Sequence, residues 1–246
     1  MAGWLCDVFR AVFGNLLNDS AVTARGDVSG ASLRRYLSAV VAGPQAPAQT
    51  VLGRLQALQR ANGGSPDNDA IRRNIAGIMA AMVYNTGTFL TFGMRELLRR
   101  PAEAARARAA AEAGDVELVR RYLYEAARFA PAAPLLARHV PNETKLAVGT
   151  NRECTMPAGS TLVVGILSAL FDEDGYDEPN SFDIDHDAEM LHFGHGVHRC
   201  LGLYINRVQL PELAAALLRL PNLRLGERGG SLLYNGLFAD RFIVEF

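Results

Sequence analysis

Residues 193–202 read FGHGVHRCLG, and this stretch carries the strongest functional signal in the chain. One cysteine, Cys200, lies among glycines and histidines, and an apolar run of helical character follows it. Gly194, Gly196 and Gly202 allow the backbone to turn sharply and to approach a flat or bulky group closely. A helix that begins after Cys200 directs its N-terminal dipole and free N–H groups at the sulfur, which stabilises a thiolate. The stretch therefore predicts a thiolate on a tight loop at the start of a buried helix.

Several uses of such a thiol are open on the residues alone. A zinc ion would draw on Cys200, His192, His195 and His198. However, alternate residues of a glycine-rich turn rarely converge tetrahedrally, and no second ligand pair follows at structural-zinc spacing. Nucleophilic catalysis needs a nearby base, and a histidine two residues away in a loop is not its usual arrangement. A haem iron accepts one axial thiolate and leaves its other face free. An inert buried cysteine is the common role of a lone thiol, but it leaves the Phe-Gly-x-Gly-x-His frame unexplained.

Composition and charge narrow the class of protein. The chain has 246 residues, of which 49% are hydrophobic and 21% charged, as in soluble globular proteins with a substantial core. A net charge of −1 gives no reason to expect nucleic acid as a partner. Cys6, Cys154 and Cys200 are too few for a disulfide framework. Together with an N-terminus that lacks a signal-peptide pattern, they predict a cytoplasmic location.

An uncharged stretch over residues 75–94 has the length of a membrane-spanning helix. Hydrogen-bonding side chains lie near its middle, and arginines flank both ends without an orientation bias. We expect a long helix buried within a globular domain, and no membrane span.

The order of patterns along the chain predicts a mainly helical protein. Amphipathic or alanine-rich runs separated by glycine and proline predict helices as far as Pro131, and the longest of them ends before Pro101. After Pro131, short alternating runs bounded by Pro, Gly and Asn favour strands. A further helix is predicted from about Leu201 to Leu220. No linker divides the chain, so we expect a single domain over residues 1–246 of the α+β class, mainly α with a small β portion.

The stretch FGHGVHRCLG resembles the haem-binding loop of the cytochromes P450. The fixed positions of that motif are matched by Phe193, Gly196, His198, Cys200 and Gly202. The resemblance implies haem b (iron protoporphyrin IX) as cofactor, with Cys200 as the thiolate ligand of the iron. It also implies that His198 binds a haem propionate and that Phe193 packs on the ligand side of the haem. Because only the later part of a complete family member is matched, it implies a cytochrome P450-like fold that is N-terminally incomplete.

Four further residues resemble core and haem contacts of the family. Glu125 and Arg128, three apart on one helix face, match its Glu-x-x-Arg pair, although such spacing alone usually marks a weak surface pair. His186 stands where the third partner is normally arginine, which implies a triad in weakened, pH-sensitive form. Arg138 matches an arginine that in many relatives reaches a haem propionate; on its own it is an exposed strand-end arginine.

The long helix departs from the family pattern. Oxygen-activating members carry an acid followed by threonine there, which relay protons. Tyr84 and Asn85 fall at these positions, or Asn85 and Thr86 if the register slips by one, so the carboxylate is missing in both. Members that rearrange fatty-acid hydroperoxides carry an asparagine on this helix, where an amide can donate a hydrogen bond to a peroxide oxygen. The alternative is an Asn85 that hydrogen-bonds within a bent helix.

The resemblance implies a haem-thiolate oxidoreductase that acts on a small organic or lipid substrate. As a monooxygenase it would take electrons from a ferredoxin or flavoprotein docked near Arg199. As a hydroperoxide isomerase or peroxygenase using Asn85, it would need no electron donor. A non-catalytic, degenerate haem-binding module is the alternative from a different class, and a fused upstream domain is a further candidate partner.

Overall fold

The structure, a computed structural model, describes most of the chain. The described residues are 1–15, 18–186, 191–226, 232–235 and 238–246. They divide into two compact units. Unit 1 comprises Met1–Thr88 with Leu233–Arg241, and unit 2 comprises Phe89–Leu232 with Phe242–Phe246. The single-domain organisation stays a prediction.

The described part of the chain is mainly helical. Its α-helices are α1 Ala2–Phe9, α2 Ser20–Ala42, α3 Val51–Ala61, α4 Asn68–Leu98, α5 Pro101–Ala113, α6 Val116–Phe129, α7 Ile166–Ala169 and α8 Leu203–Leu218. Its strands are β1 Leu135–His139, β2 Thr144–Leu146, β3 Cys154–Met156, β4 Thr161–Gly165, β5 Arg224–Leu225, β6 Leu232–Asn235, β7 Phe238–Phe242 and β8 Val244–Glu245. Antiparallel pairs join β1 to β4, β2 to β3 and β5 to β8, and β6 pairs with β7. This architecture confirms the predicted class, mainly α with a small β portion.

Helix boundaries follow local sequence signals. α5 begins at Pro101, whose fixed φ and missing N–H suit the first helical position. It ends where Gly114 adopts a left-handed φ of +77°, a conformation that glycine reaches without steric cost. The side chain of Asp115 then caps α6 by accepting a hydrogen bond from the N–H of Leu118 at 2.9 Å. Gly114 and Asp115 thus separate α5 from α6.

The core of unit 1 lies between α1, α2 and α4. Leu5, Leu33, Leu37 and Ala80 form its buried cluster. Gly26 on α2 permits a close approach of the preceding segment, because a Cβ there would lie 2.3 Å from the Cβ of Ala11. These contacts hold the N-terminal half of α4 within unit 1.

The core of unit 2 is built around α6. Buried side chains from the end of α4, from α5 and from α8 pack against it, among them Met94, Leu97, Leu123 and Leu210. Gly93 lets α4 approach α6 closely, since a Cβ there would lie 3.2 Å from the backbone oxygen of Leu123. α6 is therefore the element on which the rest of unit 2 is assembled.

Helix α4 is less buried than the sequence predicts. By length and composition it is the one described helix that could cross a membrane, which is weak evidence because core helices of soluble proteins pass the same test. Its burial is concentrated near its C-terminal end, at Phe89, Met94 and Leu97, whereas Met82 and Val83 are 40% and 39% exposed. The expectation of a helix buried throughout is therefore wrong for its middle, where the described residues cover these apolar side chains only in part. The absence of a membrane span stays a prediction.

Candidate functional site

The cysteine loop closes on itself through its own backbone. Its middle is a 3₁₀ turn over Gly196–His198, followed by α8. The N–H of Cys200 donates to the carbonyl of Phe193 at 2.7 Å, and the N–H of Arg199 donates to the carbonyl of Gly196 at 3.1 Å. Gly194 and Gly196 have φ values of +68° and +60°, which residues with a Cβ rarely adopt. The predicted need for glycine at these two positions is therefore met by their backbone conformations.

The thiol of Cys200 is exposed and faces the first turn of α8. Its Sγ accepts a hydrogen bond from the N–H of Gly202 at 3.3 Å. It forms no disulfide among the described residues. The predicted burial of this part of the chain is wrong for Leu201 and for Tyr204 in the first turn of α8, which are 85% and 76% exposed, whereas Leu203 between them is buried. The buried cluster around α6 receives side chains of α8 from Leu210 onwards.

The loop borders a cavity of about 240 Å³ within unit 2. Its lining includes the predicted site residues Phe193, Gly194, His198, Cys200 and Arg138, together with Phe89, Leu136, Ile166 and His192. A thiol, two imidazoles and a guanidinium thus line one space whose other walls are mainly apolar. The guanidinium of Arg138 donates to the carbonyl of Ala137 at 2.9 Å and pairs with no carboxylate among the described residues.

The wall behind Phe193 is aromatic. Its ring is stacked on Phe89 with centroids 5.8 Å apart, and it lies 5.6 Å from the ring of Tyr124. Burial raises the pKa of Tyr124 to about 12, so this phenol is neutral at physiological pH. The contacts fix one side of the cysteine loop against α4 and α6.

We expect Gly194→Ala to destabilise the protein more than Gly196→Ala does. Both changes place a Cβ on a left-handed backbone, which costs about 1–2 kcal/mol at each position. Only at Gly194 would the Cβ also lie 3.0 Å from the backbone oxygen of His198, whereas nothing lies within 4 Å at Gly196. The overpacking should add about 1–3 kcal/mol. Urea unfolding of the two variants, followed by circular dichroism, measures the difference, and equal losses would contradict the close contact.

Glu125 and Arg128 form an ion pair in the interior of unit 2. Both side chains are 0% exposed. The guanidinium donates to the two carboxylate oxygens at 2.7 and 2.9 Å, and the N–H of Asp183 donates to the carboxylate at 3.1 Å. This spacing usually indicates a pair on the protein surface, but the pair of Glu125 and Arg128 is buried.

Arg128 also binds the segment before the cysteine loop. Its guanidinium donates to the backbone carbonyls of Leu170, Pro179 and Ser181 at 2.7–2.9 Å. A guanidinium has five N–H donors in a fixed fork, and here one side chain connects α6 to three points of this segment. The pair thus acts as an internal anchor.

His186 lies beside this ion pair. Its Nε2 is 3.8 Å from Oε1 of Glu125, its side chain is 6% exposed, and its ring meets Tyr176 edge-on. The Nε2 atom is buried and has no hydrogen-bond partner among the described residues. The structure thus brings the three predicted members together, with the third at a distance too long for a hydrogen bond.

The residues predicted on the long helix belong to unit 1. Tyr84 is buried and stacks on Phe9 with ring centroids 4.4 Å apart, so its ring serves packing. Asn85 is exposed, and Thr86 is half-buried. The Asn85 amide has no hydrogen-bond partner among the described residues, so the alternative of an amide bonded within its helix finds no support there. The cavity with Cys200 lies in unit 2, so the two sets of predicted residues belong to different units.

The zinc alternative has no ligand set in the described part of the chain, where no three His, Cys, Asp or Glu side chains come together as metal ligands would. His192, considered in the sequence only as a zinc ligand, instead donates from Nε2 to the carbonyl of Tyr124 at 3.1 Å. The sequence patterns did not indicate Phe89 and Tyr124, which pack against Phe193 of the cysteine loop. No local pattern predicts these contacts, because they join residues that are far apart in the chain.

Comparison with known proteins identifies the family. The family model described as Cytochrome P450 matches residues 46–225. The chain belongs to the cytochrome P450 family. The predicted family is thereby confirmed, and the proteins of this family bind haem b, iron protoporphyrin IX.

Curated cytochromes P450 of about twice this length are similar to the chain. Vitamin D3 dihydroxylase of Streptomyces griseolus is 30% identical over 211 residues, which are 84% of this chain and 48% of that protein. Cytochrome P450 FAS1 of Rhodococcoides fascians is 30% identical over 223 residues, 89% of this chain and 53% of that one. The crystal structure of CalO2 matches with a TM-score of 0.79 at 22% identity, over 99% of this chain and 58% of its own, and shows the fold. The chain therefore spans about half the length of these relatives.

Proposed function

We propose that this chain is the haem-binding part of a cytochrome P450 monooxygenase in which Cys200 is the axial thiolate ligand. The observation that carries the proposal is an exposed, unbridged thiol at the edge of a cavity, held on a loop closed by its own backbone. The N–H of Gly202 donates a hydrogen bond to Sγ and helps to hold the sulfur at the start of α8. No other thiol lines the cavity among the described residues.

The remaining residues of the cavity suit the chemistry of haem b. Phe193 and Phe89, stacked on each other, supply an apolar wall beside the cysteine loop against which a porphyrin could pack. Arg138 and His198 lie on the same cavity and offer hydrogen-bond donors for the two carboxylates of the porphyrin. Bound haem supplies one-electron and O₂ chemistry, which a thiolate ligand promotes by donating electron density.

The substrate in this proposal is a small organic molecule or a lipid. The similar Vitamin D3 dihydroxylase is named for the dihydroxylation of vitamin D3. A ferredoxin or flavoprotein would deliver electrons near Arg199, the residue that precedes Cys200 on the exposed loop. A cytoplasmic location fits such a partner.

A second candidate function is a hydroperoxide isomerase or peroxygenase. Asn85 favours it, because its amide is exposed and has no partner among the described residues, and no carboxylate occupies the neighbouring positions. An exposed amide without another partner can donate a hydrogen bond to a peroxide oxygen of a hydroperoxide substrate, which itself supplies the oxidant. No electron donor is then needed.

Titration of the purified chain with haem tests the shared part of both functions. We expect binding of one haem per chain and, after reduction under CO, the absorption band at the position specific for a thiolate ligand. A well-folded chain that takes up no haem would refute both functions and leave a degenerate module. If haem binds but neither assay below yields product, the non-catalytic haem-binding module is the function.

Two turnover assays separate the functions. A monooxygenase should form product only with NAD(P)H and an electron-donor protein. An isomerase should convert a lipid hydroperoxide without any donor, and Asn85→Ala should lower that rate by on the order of 100-fold, as the loss of an oxyanion donor does. Asn74→Ala, which changes an exposed asparagine earlier on α4, is the matched control and should leave the rate unchanged.

A further inference from the structure

His192 immediately precedes Phe193 at the start of the cysteine loop. Its Nε2 lies 3.1 Å from the backbone oxygen of Tyr124 on α6. Because a carbonyl oxygen only accepts, Nε2 must carry the proton and donate. This hydrogen bond joins residues 68 positions apart and ties the beginning of the loop to the helix at the centre of unit 2.

The imidazole is enclosed by aromatic rings. Phe89 meets it edge-on with centroids 5.3 Å apart, and Tyr124 meets it in the same manner at 6.3 Å. Phe89 also stacks on Phe193, so His192 and Phe193 both pack against the ring of Phe89. The orientation of His192 is therefore coupled to that of Phe193, whose carbonyl accepts the N–H of Cys200.

The surroundings of the imidazole favour its neutral form. Its Nδ1 is closed off from solvent and has no hydrogen-bond partner among the described residues, so a proton there would be unpaired. Burial lowers the pKa of His192 to about 4, and the positive charge of Arg128 acts in the same direction. Among the described residues, the other ionisable groups beside its ring or on its cavity are the neutral phenol of Tyr124 with Arg120 above its ring, and Arg138, His198 and Cys200. None of these groups is a carboxylate that could pair with an imidazolium.

We propose that His192 is a positioning residue for haem binding, whose hydrogen bond to the Tyr124 carbonyl fixes where the loop presents Cys200. The proposal rests on the proposed function of the loop, but the tie between His192 and α6 also acts in the chain without haem. Protonation of the imidazole places an unpaired charge among Phe89, Tyr124 and Phe193, so acid should release the loop. The substitution His192→Gln keeps an N–H donor without a titrating group, whereas His192→Leu keeps bulk without a donor.

The first experiment uses the chain without haem. The unfolded imidazole takes up a proton near pH 6.5 and the folded one only near pH 4, so stability is lost as the pH falls between these values. The unfolding constant in urea should rise by up to tenfold per pH unit in this window. His192→Gln should lack this rise, whereas the control His139→Gln, at an exposed histidine on β1, should keep it. An unchanged pH slope in His192→Gln would overturn the proposal.

The second experiment reads the loop itself. Hydrogen exchange at the Cys200 amide, which the Phe193 carbonyl protects, should become about tenfold faster in His192→Leu at pH 7.5 and return to within about twofold of wild type in His192→Gln. In the haem-loaded chain, His192→Leu should broaden or shift the thiolate-specific CO band and speed haem loss by about tenfold, and the glutamine should restore both. If His192→Leu lowers overall stability but leaves amide exchange and the CO band unchanged, His192 is a core residue only and the proposal fails. If the wild-type chain binds no haem, the proposed function fails, and the pH slope and amide exchange still decide the role of His192.

Discussion

Replacement of Cys200 by alanine is expected to abolish the thiolate-specific absorption band of the reduced CO complex completely. No other described side chain places a sulfur on the cavity, so a neighbouring group cannot substitute for it. The loss of haem affinity should exceed the roughly 10–100-fold that follows removal of an outer-shell partner in metal sites. Optical titration with haem measures the band and the affinity together.

Cys154→Ala provides the matched control. This cysteine is also unbridged and exposed, but it lies on β3, away from the residues that line the cavity. Its removal should change neither the band nor the haem affinity. A Cys200→Ala variant that keeps the thiolate band would refute the assignment of the ligand.

The second large effect is expected at the buried ion pair. Glu125→Ala should lower the free energy of unfolding by about 3–5 kcal/mol, because it leaves the charge of Arg128 buried without its partner. Domains typically have free energies of unfolding of about 5–15 kcal/mol, so this substitution should remove a large share of the total stability. Urea unfolding measures the loss. Glu125→Gln keeps an acceptor in place and should lose less stability, so it can be measured even if the alanine variant does not fold.

The same helix carries its own control for this prediction. Glu117 and Arg120 have the same spacing on α6, but the carboxylate of Glu117 is 66% exposed. Glu117→Ala should therefore cost less than about 1 kcal/mol, as exposed pairs do. Equal losses at Glu117 and Glu125 would show that burial does not set the strength of the pair.

These two pairs also show the limit of what the sequence predicts. Helix position and spacing are local properties, so caps and glycines such as Gly114 indicate where α5 ends and α6 begins. Whether a pair at spacing three is buried depends on what packs over it, which for Glu125 is a segment more than 40 residues later in the chain. The resemblance to a family supplied that information, and spacing alone did not.

The cysteine loop was predictable because its constraints are local. Left-handed backbone at Gly194 and Gly196 requires glycine, and a helix directly follows the cysteine. His192 shows the opposite case. Its spacing from other histidines suggested a metal ligand, whereas its actual partners, Phe89 and Tyr124, come from α4 and α6. No pattern near residue 192 encodes those contacts.

The hydrogen bonds that Arg128 donates to residues 170–181 determine which of those residues can be substituted without loss of the contact. Every hydrogen bond that it donates to residues 170–181 goes to a main-chain oxygen, which any amino acid possesses. Only the rings of Phe171 and Tyr176, which lie 4.9 and 5.1 Å from the guanidinium carbon, add side-chain contacts to it from this segment. The other side chains of the segment can therefore change by mutation without loss of these contacts, provided that the backbone path is kept. The acidic outer surface of the segment is thus free to vary in sequence, whereas Arg128, Glu125 and the two rings are constrained.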